Sequence, residues 1–401
     1  MNNVARKILW SLALVLGVVA TSSHADAAQT AAEIAPTPQM GFNNWNSTHC
    51  RAEFDEAMIR GIADKFIELG LKDAGYTYVN IDDCWADWKR DANGNLKPNP
   101  ARFPSGIKAL ADYIHAKGLK FGLYSSAGSW TCEPKKENHG FPGGLGHEKQ
   151  DAALYAAWGV DYLKYDNCNN EKIDAKQRYG AMGEALRATG KPIFYSLCEW
   201  GENKAWLWAS APPVDGNSWR TTGDIEDTYA SMLKLFKQNV VLDAYARPGH
   251  WNDPDMLEVG NGGMSDVEYR SHFSLWAIMA APLLIGTDLR KVTPEALHIL
   301  TNKEVIAVDQ DALGVQGKRI RVRDGVHVIV KPLHDGSRAV VVFNEGRSAK
   351  EVKVAADELG LDKEKTYTVR DLWEHADAQG DGAIRVRLAP HASAMYRIRA
   401  L

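Results

Sequence analysis

The chain has 401 residues, of which 45% are apolar and 24% charged, and its formal net charge is −4. That length and balance describe a soluble globular protein of about two domains. The small negative charge and the lack of any Lys/Arg run or basic stripe exclude nucleic acid as a partner.

At the N-terminus, Arg6 and Lys7 precede an apolar run from Ile8 to Ala20, and Ala25-Asp26-Ala27 offers the small residues a signal peptidase cuts. Residues 1–27 read as a signal peptide, because the apolar run is too short for a membrane span and no lipid-attaching cysteine follows. The mature protein is expected to be exported, to the periplasm or the medium. Residues 28–38, rich in Ala, Thr and Pro, read as a disordered lead-in.

Residues 39–313 alternate strand and helix. Strand-like runs end near Asn43, Asp82, Ser125, Asp166, Leu197, Arg220, Trp251 and Gly286. Amphipathic segments lie between most of them, for example Asp55 to Leu69, Gly106 to Lys117, Glu148 to Trp158 and Ala175 to Thr189. Eight alternations in roughly 250 residues are the pattern of a (β/α)8 barrel. A doubly wound open sheet is the competing topology, but the phosphate-binding glycine fingerprint it usually carries after its first strand is missing here. Residues 318–401 change character. Short, partly alternating runs (Lys318 to Asp324, His327 to Pro332, Arg338 to Asn344, Glu351 to Ala355, Tyr367 to Leu372, Ile384 to Leu388, Ala394 to Ile398) are separated by Asp-Gly turn dipeptides. They predict a compact antiparallel β-sandwich.

Within the barrel, the tract from Gly159 to Cys168 reads as a short buried strand. Period two puts Val160, Tyr162, Lys164 and Asp166 on one face. A lysine and an aspartate on an otherwise apolar strand are costly to bury without a use, although a structural ion pair is the bland alternative. Barrel chemistry is done where strands end, and these ends carry Trp45, Asp82-Asp83-Cys84-Trp85, Tyr124, Lys164 with Asp166, Cys198-Glu199-Trp200, Trp219-Arg220 with Asp224, and Trp251-Asn252-Asp253-Pro254-Asp255-Met256. Singly, such residues can be helix caps, core or turn closers. Seven strand ends doing so together point to a shared rim. Eleven of the 13 tryptophans lie in the barrel portion, and rings beside clustered carboxylates suit a sugar, whose apolar faces they cover and whose hydroxyls donate to the carboxylates. A metal held by His250, Asp253 and Asp255 is a weaker reading, since no His-x-His or His-Glu-x-x-His spacing supports it.

Six motifs, in order along the barrel, carry a resemblance: Met40-Gly41-Phe42-Asn43-Asn44-Trp45, Ile81-Asp82-Asp83-Cys84-Trp85, Leu163-Lys164-Tyr165-Asp166-Asn167-Cys168, Ser196-Leu197-Cys198-Glu199-Trp200-Gly201, Trp219-Arg220-Thr221-Thr222-Gly223-Asp224-Ile225 and Trp251-Asn252-Asp253-Pro254-Asp255-Met256. Together they resemble the α-galactosidases of glycoside hydrolase family 27, the plant and microbial members more than the animal lysosomal ones. The resemblance implies a barrel with a C-terminal sandwich and retaining hydrolysis of terminal α-galactosides, with no cofactor or metal. It implies Asp166 as nucleophile and Asp224 as general acid and base. Lys164 would hold Asp166 ionised. Hydroxyl contacts are implied for Asp82 and Asp83 (O4 and O6), Lys164 (O3 and O4), and Glu199 with Arg220 (O2). Trp45, Tyr124, Cys132 and Met256 would line the ring, and Asp255 would support Arg220 or the acid/base region.

Within that reading, the barrel order places Cys50 and Cys84 in loops after neighbouring strands, and likewise Cys132 and Cys168. Disulfides Cys50–Cys84 and Cys132–Cys168 are therefore expected, with Cys198 free. Phe42-Asn43-Asn44 departs from the Trp-Asn-Ser of many relatives, and the loop from Glu133 to His139 is this chain's own variant, expected on the leaving-group side. Within the fold, α-N-acetylgalactosaminides and β-L-arabinopyranosides are the rival substrates. Glu199 would fill the space an acetamido group needs, and the Asp82-Asp83 pair leaves room for O6, which an arabinoside lacks. A non-catalytic carbohydrate-binding protein is the rival from another class, and it should have lost Asp166 or Asp224.

Overall fold

The computed structural model describes residues 29–133 and 140–401, so the signal-peptide reading and most of the Glu133 to His139 loop lie outside the described residues. Eight parallel strands form the first domain: β1 Met40–Asn43, β2 Tyr78–Asn80, β3 Lys120–Ser126, β4 Tyr162–Asp166, β5 Phe194–Cys198, β6 Ser218–Arg220, β7 Trp251–Asp253 and β8 Leu283–Ile285. Their order is β7-β6-β5-β4-β3-β2-β1-β8. The sheet curls on itself and closes just past β7, where Leu257 bridges to Ile285 in parallel. Apart from Lys120, which opens β3, and Lys164 in the middle of β4, every residue of these strands is buried, as in a parallel sheet wrapped in helices.

The helices follow the apolar periodicity. Glu56–Glu68 starts at Asp55, whose carboxylate accepts from the Met58 N–H, and buries Met58, Ile59, Ile62 and Phe66 on one face. Ala175–Ala188 starts the same way from Asp174. One strand differs from expectation: β7 begins at Trp251 rather than ending there. Trp251 is wholly buried among Tyr78, Tyr162 and Phe194 at the N-terminal mouth of the barrel, so its bulk belongs to the strand's start.

The lead-in is also corrected. Thr30 and Glu33 form a capping box on a single helical turn, Ala31–Ile34. Ala35 is buried, and its carbonyl accepts from Gly249 N–H at 2.8 Å and from the Trp251 indole at 3.1 Å. A composition rich in Ala and Thr concealed two residues, Ile34 and Ala35, that seal the bottom of the barrel.

The second domain is wholly antiparallel. Strands β9 Lys318–Arg323, β10 Val326–Pro332, β11 Arg338–Asn344, β12 Lys350–Val354, β13 Tyr367–Asp371, β14 Ala376–Gly380, β15 Ile384–Leu388 and β16 Ser393–Ala400 form a six-stranded sheet (β14-β13-β16-β11-β10-β9) and a two-stranded one (β12-β15). β14 was not expected, because all five of its residues are exposed and no apolar alternation marks it. The large sheet is apolar on both faces. Val328, Val340, Val342 and Ile398 meet Val354, Ile384 and Leu388 inside the sandwich. The alternate residues Ile329, Val341, Phe343 and Met395 join the barrel core. The barrel helix Asp266–Ile278 receives that face. Trp373 donates to Ser274 Oγ at 2.9 Å, and Ser271 Oγ donates to the His391 carbonyl at 2.7 Å.

Candidate active site

Strand register assembles the rim. Tyr124 pairs with Lys164, and Ser126 with Asp166, across β3 and β4. Lys164 pairs with Ser196, and Asp166 with Cys198, across β4 and β5. Asp166 is buried at the end of β4. Its Oδ2 accepts the Tyr124 phenol at 2.9 Å and its Oδ1 accepts the Asn167 N–H at 2.9 Å. Burial pushes this carboxyl up to about 6, against Lys164 and the two hydrogen bonds, which favour its ionised form.

The direct partner of Lys164 is Asp82, at 2.8 Å, and not Asp166. Asp82 Oδ2 also accepts from Asn43 Nδ2 at 2.7 Å. Burial disfavours the ammonium, but Asp82, Cys198 and Asp166 outweigh it and raise the Lys164 pKa well above its ordinary value. Asp83 turns both oxygens to backbone, accepting from Cys84 N–H at 2.7 Å and Glu133 N–H at 3.0 Å, and burial raises its carboxyl to about 7.

A second cluster stands across the rim. Arg220, at the end of β6, places one guanidinium nitrogen 2.9 Å from Asp224 Oδ1 and 3.0 Å from Asp255 Oδ2. Its other terminal nitrogen lies 3.5 Å from Cys198 Sγ. The Asp224 side chain is 67% exposed, in contrast to Asp166. Burial of the carboxyl opposes ionisation, yet Arg220 and Lys164 hold Asp224 below the usual range. Asp255 sits at φ 87°, in the positive-φ region that few residues other than glycine, asparagine and aspartate visit. Its N–H donates to Asp253 Oδ1, its carbonyl accepts the Trp276 indole and its carboxylate accepts the Ile225 N–H, all at 2.8 Å. Lys164, Arg220, Asp255 and Met256 meet at a small cavity of about 10 Å³ beneath the rim.

Trp45 opens the short helix Trp45–Thr48 and stands edge-on to His49. Cys132 is joined to Cys168 and Cys50 to Cys84, while Cys198 is free and buried. The Cys132 and Cys168 sulfurs and an Asp166 oxygen lie within 4.8 Å of one another. His250 turns away, its Nδ1 2.9 Å from the Gly216 carbonyl.

Glu199 requires a correction. It does not meet Arg220. Its carboxylate accepts from Asn203 N–H at 2.6 Å and Ala205 N–H at 3.0 Å, and it is fully buried under its own loop. Alternation explains this. Cys198 shares the inward face with Ser196 and sits beside Asp166, so the next residue points outward. Cys198, not Glu199, is the side chain that β5 delivers to the site. Asn43 and Trp276 were likewise missed as partners of site residues. Asn43 was visible as a strand end; nothing in the sequence marked Trp276.

Comparison with known proteins agrees with this geometry. Residues 37–311 match the family profile described as alpha galactosidase A, and residues 323–398 that of the alpha galactosidase C-terminal beta sandwich domain. An α-galactosidase of Oryza sativa is 51% identical over 360 residues, covering 90% of this chain and 84% of its own. The crystal structure of α-galactosidase I from Mortierella vinacea superposes with a TM-score of 0.86 at 38% identity, covering 91% of this chain and 97% of that one. A GH27 β-L-arabinopyranosidase from Geobacillus stearothermophilus superposes at 0.82 with 26% identity, covering 93% and 98%. The chain belongs to the α-galactosidase family, glycoside hydrolase family 27.

Proposed function

We propose that the protein is a retaining exo-α-galactosidase that releases terminal α-linked D-galactose through a covalent galactosyl-enzyme. The observation that carries this reading is the opposite setting of two carboxylates on one rim. Asp166 is buried and held by Tyr124 and Asn167, while Asp224 stands exposed on Arg220. In the first step an Asp166 oxygen bonds to the anomeric carbon as the glycosidic C–O bond breaks, and Asp224 gives its proton to the departing oxygen. In the second, Asp224 takes a proton from water, the water oxygen bonds to the same carbon, and Asp166 leaves. Two displacements restore the starting configuration.

Galactose is favoured over the rival sugars by the 51% identity to a plant α-galactosidase against 26% to the arabinopyranosidase. Glu199, tied to the Asn203 and Ala205 N–H groups of its own loop, does not fill the space an acetamido group would need. Among the described residues no helix is long and apolar enough to cross a membrane. Two disulfides suit an oxidising compartment, so we read the protein as exported. The test is hydrolysis of an aryl α-galactoside beside the α-N-acetylgalactosaminide and β-L-arabinopyranoside, with the product followed by NMR. Preferential release of galactose, first as its α-anomer, is expected; β-galactose as the first product would overturn the mechanism.

A further inference from the structure

One deeply buried cation has no part in the chemistry described so far. Arg178, on the helix Ala175–Ala188, is 3% exposed. The other arginine buried as deeply among the described residues, Arg220, holds two carboxylates. The hydrogen bonds of Arg178 among the described residues all go to neutral oxygens. Its Nε donates to the Ile173 carbonyl at 2.9 Å, Nη1 to the Ala127 carbonyl at 3.2 Å and Nη2 to Asn167 Oδ1 at 2.8 Å. Taking a guanidinium out of water without an anion beside it is costly. A position of that kind suits an apolar side chain unless the charged fork has a task.

Its two terminal nitrogens reach Asp166 by separate arms. Nη2 fixes the Asn167 side chain, and the N–H of that residue donates to Asp166 Oδ1 at 2.9 Å. Nη1 fixes the Ala127 carbonyl, and the Ala127 N–H donates to the Asp166 carbonyl at 2.7 Å. One arm sets the carboxylate, and the other sets the strand end that carries it. The Asn167 amide also donates to Glu202 Oε2 at 3.3 Å, so its side chain is held through both its nitrogen and its oxygen. The loops after β3 and β4 leave no slack here, since a Cβ on Gly128 would stand 1.9 Å from the Cys168 carbonyl. A carboxylate that attacks carbon must be held within about 0.5 Å of its productive place. Three acceptors lying in different directions match a planar guanidinium, and a lysine ammonium cannot span them.

Resting on the reading of Asp166 as nucleophile, we propose that Arg178 is its positioning residue, acting through Asn167 and Ala127 without touching the substrate. The groups that face Asp166 directly are Tyr124 from β3, Lys164 from β4, Cys198 from β5, Asp224 across the rim and Tyr179 from the helix of Arg178. Replacing Arg178 leaves all five in place. What it loosens is the Asn167 N–H, a bond that favours the ionised carboxylate.

The test compares Arg178→Lys, Asn167→Ala and the double variant with the wild type on a nitrophenyl α-galactoside. Arg178→Lys keeps the charge and loses the fork. It should lower kcat by at least about tenfold, the effect of a misplaced reacting group, and leave KM within about threefold because no sugar contact is lost. The alkaline limb of kcat/KM should move upward by roughly 0.5 unit. Asn167→Ala cuts one arm, so its loss and that of Arg178→Lys should be less than additive in the double variant. If Arg178→Lys does not fold, Asn167→Ala alone must show the kcat loss and the shifted limb. A lower melting temperature with kcat and the limb of the folded enzyme unchanged overturns the proposal, because Arg178 then only braces its helix. Full additivity overturns it as well, as does a raised KM with kcat intact. Turnover by Asp166→Asn with retained configuration would instead sink the reading of Asp166 as nucleophile.

Discussion

Asp224 and Asp255 share a single guanidinium nitrogen of Arg220, at 2.9 and 3.0 Å. The exposed carboxylate is thus aimed by a buried one, and the buried one is in turn held through its backbone by the Trp276 indole. Trp276 lies on the helix Asp266–Ile278, whose other partners include Trp373 and His391 of the second domain. The β-domain therefore braces the helix that braces Asp255.

Trp276→Phe keeps the packing and removes the N–H to Asp255. Loss of one such bond should reduce kcat by about threefold to tenfold. The loss should be larger for alkyl and sugar leaving groups than for nitrophenol, because only the former need a well-aimed proton donor. An equal loss for all leaving groups would assign Trp276 a purely structural part.

Asp166→Asn should abolish turnover for every substrate, since no covalent intermediate can form. Asp224→Asn should lower kcat by about 10²–10⁴-fold on poor leaving groups and much less on activated aryl galactosides. Azide should then restore turnover of Asp224→Asn with retained configuration, because a small anion attacks the intermediate without a base. Azide rescue of Asp166→Asn with retention would exchange the two roles.

The pH profile follows from the two settings. Burial raises Asp166 to about 6, and Arg220 with Lys164, overcoming burial, keeps Asp224 below the usual range. Bond breaking needs the reverse, Asp166 ionised and Asp224 protonated, so the pair reacts from its singly protonated state. Above about 6 that single proton is lost, and below the lower macroscopic value a second proton blocks Asp166. The expected kcat/KM profile is a bell on the acid side whose alkaline limb lies near 6. With Asp224→Asn and an activated aryl galactoside only Asp166 matters, so the rate should rise through that region instead of falling. Tyr124→Phe removes a bond that favours the ionised Asp166 and should move the wild-type alkaline limb upward; a limb that stayed in place would separate it from Asp166.

Most of the barrel was legible because buried parallel strands and amphipathic helices leave long, regular apolar patterns, and strand ends in this fold are where polar residues collect. Asp166, Lys164 and Tyr124 fell on one rim for that reason. The misreadings came where one residue decides a direction. Glu199 was read as facing the site although Cys198, one position earlier, already occupied the inward face. β14 and the turn at Ala31–Ile34 carry no periodic signal, since the first is exposed throughout and the second is a single turn ordered by the barrel it plugs. The brace from Trp276 to the Asp255 carbonyl is a tertiary contact between residues 21 apart, and no local pattern encodes it.

The two disulfides should separate stability from activity. Each spans a loop of 34 or 36 residues, for which chain entropy gives about 3–4 kcal/mol. Replacing Cys50 and Cys84 by alanine should lower the denaturation midpoint more than the specific activity. Replacing Cys132 and Cys168 should lower both, because those sulfurs lie within 4.8 Å of an Asp166 oxygen. Peptide mapping under non-reducing conditions should leave Cys198 unlinked, and a cross-link to it would overturn the pairing.

Glu199 gives the sharpest check on how the site meets the sugar at C2. Its carboxylate satisfies two buried backbone N–H groups, those of Asn203 and Ala205. Glu199→Ser removes that acceptor and should destabilise the protein by about 1–3 kcal/mol. It should not admit an α-N-acetylgalactosaminide, because the side chain it shortens is under the loop and not beside the substrate. Cys198 is the residue in the position once assigned to Glu199, next to Asp166 in register and 3.5 Å from Arg220. Cys198→Leu adds bulk at that buried place and should lower kcat/KM for the galactoside by at least about tenfold, while overpacking costs about 1–3 kcal/mol of stability. Hydrolysis of the acetamido sugar by Glu199→Ser, with Cys198→Leu unaffected on galactosides, would show that Glu199 turns inward when substrate binds.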